Sequence, residues 1–314
     1  MTDTALSLRI ASKREIAIDI WSFRLEAPDG SLLPEFTPGA HVGVMTPNGL
    51  LRKFSLCNSP ADRRGYDIAV KRESSGRGSS SLIAAADVGD TLAVTAPRNN
   101  FALRPSEAGY LFIAGGIGIT PILSMVRYLR EQDRAPFALY YLTRSARHTA
   151  FRAELAELGE ELVLHHDGGL TERMLDLWPV FESPTRQQVY CCGPRTLMRE
   201  VQDMTGHWPS TAVHFEVFTE AASRRPEDTP FTVRLARSGD VVEIPVGATI
   251  LETLRRAGHE LRSSCESGTC GTCRTRLIAG EADHRDFVLR GADQATSIMI
   301  CVSRARSGEL VLDL

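Results

Sequence analysis

No stretch of this 314-residue chain reaches the roughly 18 consecutive apolar residues of a membrane-spanning helix. Its charges show no basic excess. There are 36 Lys and Arg against 39 Asp and Glu, a net of −3, so no basic surface points to nucleic acid or an anionic membrane. The opening "MTDTALSLRIASKREIAID" lacks a long apolar run, which argues against a signal peptide and places the chain in the cytoplasm. Thiols stay reduced there, so the seven cysteines read as metal ligands or free thiols rather than a disulfide framework. No internal repeat or low-complexity tract is visible. Hydrophobic residues make up 43% and charged residues 24%, an ordinary globular composition, and the length suggests two or three domains rather than one core.

The first third reads as β structure. "SLRIAS", "DIWSFRLEA", "HVGVMTP", "RKFSLCN", "YDIAVKRE" and "TLAVTAP" are short runs of β-branched and aromatic residues, separated by turn signals such as "PDG" and "PNG". They suggest a small antiparallel barrel or sandwich. Near Pro105 the pattern changes. The strands "YLFIAGG", "FALYYLTR", "LVLHHD", "QQVYCCGP" and "AVHFEVF" alternate with the helices "TPILSMVRYLREQ", "AFRAELAELGE" and "RTLMREVQDMTG". That alternation implies a parallel sheet covered by helices. "TEAASRRPEDTP", at 219–230, has no apolar period and reads as an interdomain linker. A hairpin, "FTVRLARSGDVVEIP", then a helix, "TILETLRRAG", and a closing "ELVLDL" outline a third, small α+β unit.

That third unit holds "CESGTCGTC" at 265–273, followed by Cys301 in "IMICVSRA". The pattern is C-x4-C-x2-C-x27-C. A structural zinc site, the competing reading, usually pairs its cysteines as two C-x2–4-C knuckles. Three ligands from one loop and one from afar is the plant-type [2Fe–2S] spacing. Cys265, Cys270, Cys273 and Cys301 are therefore the candidate metal ligands, with Gly268 and Gly271 letting the backbone approach inorganic sulfide. Cys57 and Cys191 read as buried free thiols.

"AGGIGITP", at 114–121, follows a strand and opens a helix. Gly115, Gly116 and Gly118 allow a tight turn and close approach to a pyrophosphate. Thr120 can cap the helix, and Pro121 suits its first turn. The turn lacks the third glycine of G-x-G-x-x-G, so alone it is a weak signal. "YCCGP", at 190–194, ends another strand. "AVKRESSGRGSSS", at 69–81, offers Lys71, Arg72 and Arg77 with Gly76, Gly78, Ser79, Ser80 and Ser81, a serine-rich turn suited to a phosphate. His165 and His166 read as shaping a strand end rather than binding metal.

Taken together, "AGGIGITP" and the later Cys-Gly-Pro resemble the ferredoxin–NADP reductase superfamily. "RKFSLCN" resembles its flavin motif Arg-x-Tyr-Ser, with Arg52 and Ser55 in place and Phe54 replacing tyrosine. The domain order and the segments "AVKR", "GRG", "YYLTR", "HHD", "DMTGHWPS", "SSCESGTCG" and "GEADHRD" are similar to the phthalate dioxygenase reductase branch and its vanillate demethylase reductase relatives, over essentially the whole chain. The resemblance implies an FMN-binding antiparallel β-barrel at 1–105, an NAD-binding α/β parallel-sheet domain with linker at 106–224, and a β-grasp plant-type ferredoxin domain at 225–314. It implies FMN, NADH and a [2Fe–2S] cluster as cofactors, a Rieske-type oxygenase as partner, and a monomer. Arg52, Phe54, Ser55, Lys71, Arg77, Gly78, Ser79 and Ser80 would then hold the flavin. Gly115, Gly116, Gly118, Thr143, Arg144, Asp167, Cys192, Gly193 and Pro194 would hold the nicotinamide cofactor. Thr120, near the flavin N5 region, Cys192, beside the nicotinamide, and Phe218, covering the flavin, would form the hydride-transfer site. The implied activity splits the electron pair of NADH into single electrons for an aromatic-ring dioxygenase or O-demethylase, with phthalate-like aromatic carboxylates favoured as that partner's substrates. A stand-alone NADH:acceptor oxidoreductase and a redox-sensing module are the competing readings. Asp167 favours NADH by bonding a ribose diol and repelling a 2′-phosphate, while Arg144 and Arg147 pull the other way.

Overall fold

Six strands fall on the six runs read from the first third: β1 (Leu6–Ala17), β2 (Ile20–Glu26), β3 (His41–Met45), β4 (Leu51–Ser55), β5 (Gly65–Lys71) and β6 (Thr91–Val94). In this computed structural model, which describes residues 5–72, 77–132, 135–218 and 225–314, they form one antiparallel sheet in the order β4-β3-β6-β1-β2-β5. An isolated bridge from Leu56, just past β4, to Ile68 of β5 joins the two outer strands. The period-two alternation sends Leu8, Ile10, Phe23, Leu25, Val42 and Val44 into a shared interior.

One expectation fails here. Residues 73–76, Gly76 among them, lie outside the described residues, but from Arg77 onward the serine-rich stretch is a helix rather than a turn: α1 (Arg77–Ala85). Serine is a weak helix former. The helix is held instead by burial of Leu82 and Ile83 in the barrel core.

The next lobe carries a five-stranded sheet of β7 (Tyr110–Gly115), β8 (Phe137–Thr143), β9 (Leu162–His166), β10 (Gln188–Cys192) and β11 (Val213–Glu216), in the order β11-β10-β7-β8-β9. The pairs β10/β7, β7/β8 and β8/β9 are parallel. The helices are α2 (Ile119–Gln132), α3 (Arg152–Leu155), α4 (Trp178–Phe181) and α5 (Arg195–Met204). The long helix read from "AFRAELAELGE" is only one turn of α-helix, followed by tighter turns and a positive φ of 58° at Gly159. Barrel residues Ile20, Cys57 and Ala69 share a core with Phe112, Ile119 and Tyr141. The barrel and this lobe accordingly fall in one unit, 1–214, with 215–314 as a second.

In the second unit, β12 (Phe231–Leu235) and β13 (Val241–Ile244) form the expected hairpin, with Gly239 N–H donating to the Leu235 carbonyl at 2.8 Å. α6 (Ile250–Arg256) starts at a capping box in which Thr249 and Glu252 satisfy each other's backbone N–H groups. The chain then runs through β14 (Arg274–Ala279), β15 (Ala282–Asp283), α7 (Ala292–Thr296), β16 (Ser297–Met299), β17 (Arg304–Ala305) and β18 (Glu309–Leu312). The main sheet is ordered β13-β12-β18-β14-β16, with β12 and β18 parallel and their outer neighbours antiparallel. Of the linker, 219–224 lies outside the described residues. Among the described residues no helix is long and apolar enough to cross a membrane.

Candidate active site and iron–sulfur centre

The loops after β7 and β10, neighbouring parallel strands, meet backbone to backbone. A Cβ added to Gly118 would lie 2.1 Å from the Cys192 carbonyl oxygen, and one on Gly115 would lie 2.6 Å from Pro194 Cδ. Gly193 is equally tight, with an added Cβ 2.9 Å from Gly115 Cα. Two of the three glycines read as making room for a pyrophosphate thus make room for the Cys-Gly-Pro turn. Gly116 is the open one, at φ 53° with nothing within 4 Å of an added Cβ. Its carbonyl accepts from the buried Tyr141 hydroxyl at 3.1 Å. Because this turn lies at the carboxyl ends of parallel strands and runs into α2, its open backbone fits the pyrophosphate of a dinucleotide.

Thr120 is buried in the first turn of α2, where its Oγ1 donates to the Ile117 carbonyl at 3.1 Å. The hydroxyl closes that turn from inside the helix, so it is not the cap the sequence suggested. Cys192 is fully buried at the end of β10, beside the glycine turn. Thr143, buried at the end of β8, bonds Thr149 Oγ1 and His166 Nδ1, both at 2.9 Å. His165 Nε2 meets the Arg173 carbonyl at 2.7 Å, so both histidines are tied into strand ends. Asp167 follows β9, and its Oδ1 accepts from Gly169 N–H at 2.6 Å. Arg144 is exposed after β8, its carbonyl accepting from Gly168 N–H at 3.0 Å.

On the barrel, Arg52 is exposed, Phe54 half-buried and Ser55 buried along β4. A Cβ on Gly78 would lie 2.7 Å from Arg52 Cγ, so the first turn of α1 sits directly beneath the Arg52 side chain. Ser79 and Ser80 are half-buried in that same turn. The start of a helix beside a guanidinium fits a phosphate. Lys71 is exposed at the end of β5. His41, opposite Ser55 across β3 and β4, is driven down to about 4 by burial and by the nearby Lys53 and Arg98. It is therefore neutral at physiological pH. Cys57 and Cys191 are fully buried, as expected, and burial pushes the Cys57 thiol up to about 12.

In the second unit the four ligand candidates converge as two pairs. The hydrogen bond with Cys270 draws the Cys265 thiol down while Cys270 is pushed up, and the bond between Cys273 and Cys301 lowers the first and raises the second. Among the described residues no group of three or more His, Cys, Asp or Glu gathers around one metal ion. Two thiol pairs suit a two-iron cluster held by two thiolates at each iron. The loop supplies donors as well, since Ser267 N–H points at Cys265 Sγ over 3.4 Å. Gly268, at φ 77°, leaves an added Cβ 2.7 Å from Val302 Cγ2 and 3.1 Å from Asp286 Cα. Gly268→Ala is therefore expected to lower cluster content at least severalfold, read as iron per chain and visible absorbance, with flavin content unchanged. Full iron occupancy would show that the loop yields. Phe218, past β11, is 45% exposed and belongs to this second unit.

A barrel with a phosphate cradle, a dinucleotide turn between parallel strands, and paired thiols in a third domain define a flavin- and nicotinamide-dependent iron–sulfur oxidoreductase. Three protein-family profiles match in the same order: an oxidoreductase FAD-binding domain over residues 7–103, an oxidoreductase NAD-binding domain over 112–203, and a 2Fe-2S iron-sulfur cluster binding domain over 233–306. The chain is 54% identical to phthalate dioxygenase reductase of Burkholderia cepacia, with 99% of this chain and 98% of that protein covered. It is 52% identical to the phthalate 4,5-dioxygenase oxygenase reductase subunit of Pseudomonas putida, covering 100% and 98%. A solved structure of phthalate dioxygenase reductase, described as modular for electron transfer from pyridine nucleotides to [2Fe–2S], superposes with a TM-score of 0.70 at 53% identity, covering 99% of this chain and 98% of the other. The chain belongs to the phthalate dioxygenase reductase family.

Two features escaped the sequence reading. The contact between the glycine turn and Cys-Gly-Pro needs the strand order, which no local motif encodes. The polar residues Ser124, Arg127 and Glu131, spaced i, i+3 and i+7 along α2, were a visible signal that counting apolar periodicity passed over.

Proposed function

We propose that this chain is the NADH-dependent reductase of an oxygenase system, taking a hydride from NADH and delivering single electrons to a Rieske-type aromatic-ring dioxygenase or O-demethylase that acts on a phthalate-like aromatic carboxylate. The observation that carries the reading is the presence of all three sites in one chain. A stand-alone flavin or quinone reductase would not need the paired thiols of Cys265, Cys270, Cys273 and Cys301. We assign the domains to 1–105, 106–224 and 225–314, take the flavin to be FMN, the chain to be monomeric and its compartment the cytoplasm.

When bound, the flavin accepts the hydride as a pair and passes electrons singly to the cluster. The chain's own residues bind and orient. Arg52 with Gly78, Ser79 and Ser80, joined by Phe54, Ser55, Lys71 and Arg77, hold the flavin and its phosphate. Gly116 admits the pyrophosphate, while Gly115, Gly118, Gly193 and Pro194 fix the turn that faces it. Thr143, Arg144 and Asp167 meet the adenosine end, and Thr120 and Cys192 exclude water around the transferring hydride. Phe218 supplies the aromatic cover the family resemblance implies. The test mixes the chain with NADH and a purified phthalate-class oxygenase. Sustained NADH oxidation coupled to product, with little oxidation when no acceptor is present, is expected. Equal NADH consumption without the oxygenase would overturn the reading.

Cofactor choice is a separate expectation. The Asp167 carboxylate, already oriented by Gly169 N–H, can accept from a ribose hydroxyl and repels a 2′-phosphate. kcat/KM for NADH should exceed that for NADPH at least tenfold, a difference of about 1.4 kcal/mol in transition-state binding. Equal values would remove Asp167 from this role.

A further inference from the structure

The segment that continues β4 beyond the flavin motif is gripped at three consecutive residues by one helix. Arg127 Nη1 donates to the Cys57 carbonyl at 2.5 Å. Ser124 Oγ donates to the Asn58 carbonyl at 2.9 Å. The Ser59 hydroxyl donates to the Glu131 carboxylate. Residues 124, 127 and 131 stand at i, i+3 and i+7, on one face of α2. Arg127 is itself locked, with its Nε and Nη2 gripping Glu154 at 2.7 and 2.6 Å in a bidentate pair. The barrel side is equally fixed. The Asn58 side chain accepts from Asp67 N–H at 3.0 Å and donates to the Gly65 carbonyl at 2.9 Å.

The two ends of this arrangement are the strand assigned above to the flavin and the turn assigned to the dinucleotide. Arg52 and Ser55 lie a few residues before the gripped segment, and α2 begins where the Gly116–Gly118 turn ends. We infer that the polar face of α2 is a positioning clamp that sets the distance between the flavin strand and the nicotinamide turn, with Arg127 as its central positioning residue. This rests on the function proposed above. Fourteen helical residues are stiff, and the Asn58 carbonyl held by buried Ser124 and the Cys57 carbonyl held by half-buried Arg127 cannot slide without breaking a hydrogen bond, although the third contact, through Glu131, is at the exposed end of the helix. A shift of about 1 Å between hydride donor and acceptor is enough to cost on the order of a hundredfold in rate. Ser124 is fully buried, so its hydroxyl has no competing water. The outer side of Arg127, Leu123 and Leu158 borders a cavity of about 180 Å³, which gives a substituted side chain room.

The test compares the unaltered holoprotein with Arg127→Leu, Arg127→Lys and Ser124→Ala. Stopped-flow flavin reduction at saturating NADH should slow at least ~10-fold in Arg127→Leu, with the NADH Kd within about threefold and the long-wavelength charge-transfer absorbance of stacked flavin and nicotinamide weakened. Arg127→Lys keeps one donor but not the bidentate grip and should fall between. A merely structural role would lower the thermal midpoint without separating the reduction rate from NADH binding. Amide exchange on the flavin-free chain gives a second readout: Arg127→Leu should speed exchange across 57–62 while leaving β1 and β2 unchanged. If Arg127→Leu does not fold, Ser124→Ala decides by the same two measurements. Flavin reduction at the unaltered rate with unaltered exchange at 57–62 overturns the clamp. Failure of the unaltered protein to reduce its flavin with NADH would instead overturn the proposed function, and the exchange data would still decide the clamp.

Discussion

Gly118→Ala is expected to cut flavin reduction by NADH at least ~100-fold while leaving the iron–sulfur centre intact. The new Cβ would lie 2.1 Å from the Cys192 carbonyl oxygen, 2.4 Å from its carbon and 2.8 Å from Gly193 N. All three are backbone atoms, in a strand end paired to β7 through Cys192 and Ala114, so no side-chain rotation relieves the clash. The two turns must separate, and Cys192, Gly193 and Pro194 move away from the glycine turn. Because reacting atoms must approach within about 3–3.5 Å, a displacement of this order should cost at least ~100-fold in kcat/KM for NADH. Gly116→Ala is the contrast. Its added Cβ meets nothing within 4 Å, but φ is 53°, so the expected cost is about 1–2 kcal/mol of left-handed strain together with weaker NADH binding. NADH–ferricyanide activity, the NADH Kd and cluster absorbance read the outcome for both variants. Unchanged NADH turnover in Gly118→Ala would show that the contact between the turns plays no part in catalysis.

How far the sequence reaches is clear at these same residues. The strands of the barrel were legible because each carries a β-branched run bounded by turn signals, and the paired cysteines because their spacing is chemically specific. α1 was hidden because serines at its start mimic a turn and its support, Leu82 and Ile83, acts through tertiary burial. α3 was overextended because apolar periodicity through "AELAELG" continues past the point where Gly159 takes a positive φ. The glycine turn was read as a ligand cradle in full, whereas Gly115 and Gly118 serve the neighbouring turn. A glycine's purpose depends on what lies opposite its missing Cβ, and here that is a residue more than 70 positions away.

Cys270→Ser, in the full chain, is expected to separate the two halves of the activity. Cys270 is the partly exposed member of its pair with Cys265, its Sγ 3.3 Å from Thr272 Oγ1. A serine oxygen in its place is a poor ligand for iron in a thiolate site, so the cluster should be lost or weakened. Loss should stay local, because the second unit has its own core of Val233, Leu235, Ile250, Leu254, Ile298 and Leu310, and the flavin and dinucleotide turns lie within 1–214. NADH–ferricyanide activity should therefore persist, since a small oxidant meets the flavin directly, while oxygenase-coupled turnover falls to background. A chain ending after Phe218, which keeps the whole β7–β11 sheet, should behave the same way. The driving force toward the proposed Rieske partner points the same direction: plant-type clusters lie near about −400 mV and Rieske centres at about −150 to +300 mV. The smallest such gap, roughly 250 mV, is about four decades for one electron. An acceptor reached only through the cluster cannot be reduced at the full rate once the thiolate pair is broken. If either altered chain, shown by iron analysis to lack the cluster, drives the oxygenase at the rate of the intact protein, then the electrons leave from the flavin itself and the paired thiols serve some other purpose.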